Sequence, residues 1–202
     1  MLEPEYQGNT DLFPVRIHSF KIDQELINEA LRGLTSKPQD FTYAEVFNHP
    51  HFKDLQEQVD YCSNAICPLT NRTGDWKIVS SWLNNQPPNH EGFGFHNHAD
   101  AFMSAVLYLK GSRMSLSFRD SPKEAMETNP HQKDFDIIIR HTWNEDVRLP
   151  VNAGDLLFFP SYLLHQPNKN ETKEDRISIA YNLMPSRKNA PDSSPWSMSL
   201  NL

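Results

Sequence analysis

At 202 residues the chain has room for one domain with a full hydrophobic core, or for two small ones. Its 19 Lys and Arg against 26 Asp and Glu leave a net charge of −7, which argues against a general nucleic-acid or anionic-membrane surface. No apolar run is long enough to span a bilayer, and Met1 to Glu5 offers neither a basic n-region nor an apolar h-region, so the expected location is cytoplasmic.

In chain order, residues 12–20 alternate loosely and read as an opening strand. Asp23 is a plausible N-cap for a helix carrying Leu26, Ile27, Ala30, Leu31 and Leu34 at helical spacing, with Gly33 near its end. A turn-like stretch over 35–40 follows. A second helix is expected over 51–67, with Phe52, Leu55, Val59, Cys62 and Ile66 on one stripe and Pro68 as its stop. Cys62 and Cys67 are the only cysteines; inside a helical pattern they read as reduced, buried thiols rather than a zinc site or disulfide framework.

Beyond the second helix the periodicity becomes strand-like. Strands are expected over 76–84, 102–109, 114–118, 136–141, 155–159 and 176–183. Between them stand punctuators such as Gln86-Pro87-Pro88, Lys110-Gly111-Ser112 and Asn152-Ala153-Gly154. Two helices followed by many short strands predict an α+β domain with an antiparallel barrel or sandwich core. The tail from Ser186 is polar and reads as loosely ordered.

Of the 9 histidines, His18, His49, His51 and His131 sit in polar or helix-start contexts and read as surface or capping residues. The cluster His96-Asn97-His98-Ala99-Asp100 is different. It follows Gly92 and Gly94 and precedes an apolar strand, at a strand mouth where barrels place chemistry. Residues i and i+2 of an extended segment leave the same face, so the cluster can offer two adjacent ligands to one metal. His165, after the buried run Leu156-Leu157-Phe158-Phe159, can supply a third ligand from a distant strand. Two histidines and a carboxylate with open positions are the grip of a non-haem Fe(II) site.

The closing strand adds a second element. Arg176, Ser178, Ala180 and Asn182 share one face, while Ile177, Ile179 and Tyr181 share the other, which can pack on the helices. An arginine pointing into a barrel is costly unless an anion meets it, and a dicarboxylate such as 2-oxoglutarate would. Pairing of Arg176 with an Asp or Glu of the chain is the structural alternative. Tyr108, on the strand leaving the histidine cluster, could reach the same carboxylate.

Together these residues resemble the double-stranded β-helix oxygenases that use Fe(II) and 2-oxoglutarate, and within them a group of small oxygenases common in bacteria and phages. That group carries a Trp-x-Asn strand, an H-x-H-P element running into S-G-x-Y-Y, a Gly bend into Phe-Pro-Ser, a distal His and a closing R-I-S-I-x-x-N. Here Trp82-Leu83-Asn84, His96-Asn97-His98-Ala99 and Ser104-Ala105-Val106-Leu107-Tyr108 are followed in order by Gly154, Phe159-Pro160-Ser161, His165 and Arg176-Ile177-Ser178-Ile179 to Asn182. The likeness covers about residues 76–183, with Ala99 in place of the Pro and Ala105 in place of the Gly.

The resemblance implies a jelly-roll (double-stranded β-helix) core with the N-terminal helices packed on one sheet. One domain would cover 1–185, with 1–75 as helical support, 76–185 as the core and 186–202 as the tail. It implies Fe(II) on His96, His98 and His165; the wider superfamily's H-x-D signature, met by His98 and Asp100, would instead put Asp100 in place of one of the first two. No catalytic residue beyond the ligands is implied. The far carboxylate of 2-oxoglutarate would meet Arg176, assisted by Tyr108, Ser178 and Asn182. Trp82 and Asn84 would face the substrate pocket. O₂ would be consumed, succinate and CO₂ released, and a small-molecule or peptide substrate hydroxylated, a peptidyl or amino-acid side chain being the first expectation. Two rivals stand beside this: a cupin-like metal enzyme that does not use 2-oxoglutarate, and a non-catalytic binding module on the same barrel.

Overall fold

The computed structural model describes residues 15–36, 45–66, 75–119 and 146–185. The expected strand over 136–141 and the polar tail lie outside the described residues. The elements are β1 (His18–Lys21), α1 (Gln24–Ser36), α2 (Lys53–Ala65), β2 (Trp76–Gln86), β3 (Met103–Lys110), β4 (Met114–Arg119), β5 (Val147–Val151), β6 (Asp155–Pro160), β7 (Leu164–Pro167) and β8 (Arg176–Pro185). Two 3₁₀ turns, Val46–Asn48 and Pro50–Phe52, precede α2.

Helix α1 begins where expected: the Asp23 carboxylate accepts from the Glu25 N–H at 2.7 Å, relieving one orphan donor of the first turn. Helix α2 starts two residues later than the spacing suggests. Pro50 sets a 3₁₀ turn first, and His49 accepts from the His51 N–H at 3.4 Å. The α2 stripe holds: Phe52, Leu55, Val59, Cys62 and Ile66 are all buried.

Among the described residues the strands form two antiparallel sheets, one of five strands in the order β1-β6-β3-β8-β2 and one of three in the order β5-β4-β7. Strand alternation sorts the apolar residues into two cores. On one face of the large sheet Met103, Leu107, Phe158, Ile179, Tyr181 and Leu183 pack against α1, α2 and the 3₁₀ turns. On the other, Val106, Tyr108, Leu157, Phe159 and Ala180 meet Met114, Leu116 and Phe118 of β4 and Val151 of β5. The molecule is therefore layered as helices, large sheet, small sheet, and the helices lie on the large sheet as expected. Among the described residues no helix is long and apolar enough to cross a membrane.

Two strands escaped the sequence reading. Strand β5 carries Pro150 and, among the described residues, is paired on one side alone, where a missing N–H is tolerated. Strand β7 has four residues, and His165 lies within it rather than after a strand. Strand β2 runs two residues beyond Asn84, to Gln86, because β8 continues opposite it as far as Arg176.

Candidate metal centre

The cavity wall is written in the registers of β2, β8 and β3. Gln86 lies opposite Arg176; Asn84 opposite Ser178, which faces Tyr108; Trp82 opposite Ala180, which faces Val106; Ser80 opposite Asn182, which faces Ser104. Directly opposed residues project from the same face of a sheet, so these are four stacked rows on the side turned to the small sheet. The first three rows, with Ser104 of the fourth, border a cavity of about 530 Å³ that is also lined by Phe93, Phe95, His96, His98 and His165.

His165, on β7, is 3 % exposed, and its ring packs on Phe159 with centroids 4.6 Å apart. His96 is joined to it by a reciprocal backbone pair, His96 N to His165 O at 3.1 Å and His165 N to His96 O at 2.9 Å. The His98 N–H donates to the Ser161 carbonyl at 2.9 Å. These anchors bring three imidazoles together: ring centroids are 4.5 Å apart for His96 and His165, 5.1 Å for His98 and His165, and 5.3 Å for His96 and His98. One ring nitrogen from each lies within 4.8 Å of the others.

The donor set fits a divalent metal. Nδ1 of His165 faces the Leu163 carbonyl at 2.9 Å, and Nδ1 of His96 faces the Gly94 carbonyl at 2.8 Å. A carbonyl oxygen only accepts, so these nitrogens carry the hydrogens and leave each Nε2 lone pair bare. Burial, with smaller contributions from the other two imidazoles and against the Leu163 hydrogen bond, pulls the His165 pKa down to about 4. His98 is lowered too, first by burial and then by His96, against an opposing pull from Asp100. Neutral imidazoles are the form a metal binds.

At the other end of the cavity lie three buried side-chain atoms without a hydrogen-bond partner among the described residues. Arg176 is 3 % exposed. Its guanidinium donates to the Asn168 carbonyl at 2.8 Å and the Lys169 carbonyl at 3.3 Å, while its Nε has no partner. Among the described residues no carboxylate pairs with it, so the ion-pair alternative raised by the sequence finds no partner there. The Tyr108 hydroxyl and the Gln86 side-chain nitrogen are likewise buried and unpartnered. Burial raises the Tyr108 hydroxyl well above the usual phenol range, so it stays a protonated donor.

Most of the sequence-derived candidates converge. His96, His98, His165, Arg176, Tyr108, Ser178, Trp82 and Asn84 all border the cavity. Asp100 does not join the three imidazoles; it is exposed, in the turn after His98. Asn182 is not on the cavity wall either. Its Nδ2 donates to Ser80 Oγ at 3.1 Å and its Oδ1 accepts from Ser104 Oγ at 2.9 Å, while Ser104 Oγ meets Ser161 Oγ at 2.8 Å. Asn182 thus braces Ser161, whose carbonyl holds the His98 loop. Gln86 was missed, although Trp82, Asn84 and Gln86 are one alternating set; the pair of prolines after it had marked the position as a turn.

A family model described as "Putative 2OG-Fe(II) oxygenase" matches residues 80–182. No curated protein matches the chain. Among solved structures, similarity extends to SnoN, a non-heme alpha ketoglutarate dependent epimerase from nogalamycin biosynthesis, at 13% identity and TM-score 0.62 over 85% of this chain and 79% of that one. HygX from Streptomyces hygroscopicus with nickel and 2-oxoglutarate bound matches at 12% identity and TM-score 0.56, covering 86% of this chain and 83% of that chain. A Pseudomonas putida prolyl-4-hydroxylase matches at 16% identity and TM-score 0.53, covering 85% and 89%. At such identities the likeness is one of fold.

Proposed function

This chain belongs to the 2OG-Fe(II) oxygenase family, and from that premise we propose that it hydroxylates a small-molecule or peptidyl substrate at the cavity between its two sheets. It is a 2-oxoglutarate-dependent oxygenase whose cofactors are Fe(II) and 2-oxoglutarate. On this reading the two sheets are the halves of a double-stranded β-helix, residues 1–185 form one domain, and 186–202 are a tail. Bound Fe(II), O₂ and 2-oxoglutarate together supply the oxidation: a substrate C–H becomes C–OH while 2-oxoglutarate becomes succinate and CO₂.

The chain's own residues would do the following. His96, His98 and His165 hold the metal through Nε2 lone pairs, with the Gly94 and Leu163 carbonyls fixing two of the ring orientations. Arg176 receives the far carboxylate of 2-oxoglutarate, and Tyr108 and Ser178 donate to it from the next row. Trp82, whose ring lies 5.3 Å from that of His98, and Asn84 wall the substrate side. Phe159, Leu116 and Val106 keep that space dry. A peptidyl or amino-acid side chain is the substrate we propose first, in keeping with the prolyl-4-hydroxylase that shares the fold.

The observation that carries the reading is the pairing, in one cavity, of three convergent imidazoles with a buried arginine that no carboxylate of the described residues meets. The test is anaerobic reconstitution with Fe(II), followed by O₂ and 2-oxoglutarate. Succinate should form, and His165→Ala should bind iron far below stoichiometry and form none. Full iron loading of His165→Ala would remove His165 from the ligand set. Absence of succinate from an iron-loaded wild type, across a panel of amino-acid and peptide substrates, would favour a cupin-like enzyme.

A further inference from the structure

Five buried side-chain nitrogen or oxygen atoms lack a hydrogen-bond partner among the described residues: Trp76 Nε1, Gln86 Nε2, Tyr108 OH, Arg176 Nε and Tyr181 OH. The residues Gln86, Tyr108 and Arg176 border the same cavity. Gln86 is 2 % exposed, so its amide cannot turn to water for an acceptor. An N–H left buried and unmet is tolerated where a ligand will meet it. Here three unpartnered donors, with no carboxylate of the described residues paired with Arg176, mark one end of the cavity, as an anion site would.

Resting on the reading of this cavity as the 2-oxoglutarate site, we propose that Gln86 is a third donor to the far carboxylate, beside Arg176 and Tyr108. Gln86 and Arg176 are directly opposed on β2 and β8, so both side chains leave the same face of the sheet as nearest cross-strand neighbours. Both are held by one turn. Asn170 donates to the Gln86 main-chain carbonyl at 2.8 Å, and the adjoining Asn168 and Lys169 carbonyls accept from Arg176. Gly92 closes over the amide: with φ at 83°, its backbone passes so near that a Cβ there would lie 3.4 Å from Gln86 Nε2. A carboxylate has two oxygens and room for several donors. Arg176 Nε, the Tyr108 hydroxyl and the Gln86 amide can share them without competing, because none is committed elsewhere.

The role belongs to the far end of the ligand, and the test uses that. Gln86→Met keeps the length and removes the donor. Anaerobic titrations of the Fe(II) protein would follow the metal-to-ligand absorption band with two probes: 2-oxoglutarate, and 2-oxopentanoate, which has the same chain length but no far carboxylate. A hydrogen bond to a charged group accounts for roughly a ten- to hundredfold change in affinity. The expected result is a loss of that size for 2-oxoglutarate, unchanged binding of 2-oxopentanoate and of iron, and no fall in the melting temperature of the ligand-free protein. That last reading matters because an amide nitrogen with no partner adds no hydrogen bond to the free protein's stability. Unchanged 2-oxoglutarate affinity would overturn the proposal. So would an equal loss for both probes, or a ligand-free variant that melts lower or fails to fold, since each would make Gln86 a structural brace. If wild type binds 2-oxoglutarate and Arg176→Ala does not, the parent reading stands whatever Gln86→Met does; if wild type itself fails to bind, both fall.

Discussion

Replacing Arg176 tests the anion end of the cavity most directly. The side chain is 3 % exposed and two of its donors are committed to main-chain carbonyls, at 2.8 and 3.3 Å, so its position is set before any ligand arrives. In Arg176→Ala a carboxylate entering the cavity would lose its counter-charge at a wall that is itself buried. Breaking a buried charge pair in this way costs about 3–5 kcal/mol, or roughly two to more than three decades in 2-oxoglutarate affinity. Arg176→Lys keeps the charge but loses the planar fork. One ammonium cannot serve the Asn168 and Lys169 carbonyls and the ligand in the same geometry, so an intermediate loss of roughly one to two decades is expected. Iron affinity should be untouched in both, because Arg176 is not near the imidazoles. The assay is anaerobic titration of the Fe(II) protein with 2-oxoglutarate, with iron content measured in parallel. Wild-type affinity in Arg176→Ala would refute the reasoning and leave the arginine as a tie for the 168–169 turn.

Other expectations follow from particular contacts. His96→Ala should lose most of its iron and Asp100→Ala should load like wild type; the reverse outcome in an iron titration would give the ligand position to Asp100. Gly92→Ala forces an L side chain to φ 83° with its Cβ 2.4 Å from the Pro167 carbonyl, whereas a Cβ at Gly94 meets nothing within 4 Å. Gly92→Ala should therefore cost about 2 kcal/mol or more and lower the melting temperature by roughly 4–8 °C, with Gly94→Ala near wild type; equal melting of the two would refute it. In the metal-free protein the depressed pKa of His165, about 4 against 6.5 in the unfolded chain, means the unfolded state binds that proton first. Its contribution is present above pH 6.5 and is lost as pH falls towards 4, about 3 kcal/mol in all. Urea midpoints of metal-free wild type should fall more steeply over that range than those of His165→Asn; parallel slopes would show that His165 is not held neutral.

What the sequence disclosed, and what it withheld, follows from how far each signal reaches. The two faces of β8 were legible because a ten-residue strand repeats its period of two often enough to separate Ile177, Ile179 and Tyr181 from Arg176, Ser178 and Asn182. The stripe of α2 was legible for the same reason at a period of 3.6. Strands β5 and β7 were not, having five and four residues and a proline each, too few repeats to show any period. Gln86 was hidden by a local signal outweighed by tertiary pairing: the prolines at 87 and 88 mark a turn, yet opposite β8 the strand persists to the residue before them. The histidine cluster announced itself, but the order of its members did not. Spacing alone treats His96 and Asp100 alike about His98. Main-chain bonds tie His96 to His165 while Asp100 lies in an exposed turn, and the bonds to β7 are a long-range fact that spacing does not carry. Asn182 illustrates the converse: it shares the cavity-side face of β8, but its amide is taken up by Ser80 and Ser104 and it does not line the cavity.

The reciprocal main-chain pair between His96 and His165 has a consequence for which ion the protein carries. It fixes the separation of two imidazoles by backbone geometry, so on the proposed assignment the site is assembled before the metal arrives and asks little of it by way of folding. A rigid pocket of neutral nitrogen donors ranks divalent ions by intrinsic affinity, in which iron stands below cobalt, nickel, copper and zinc. Nothing among the described ligand atoms reverses that order. Protein expressed in a medium poor in iron should accordingly be isolated with zinc or nickel in place, well folded and inert towards oxygen. Activity would then report the supply of metal during synthesis as much as the integrity of the polypeptide.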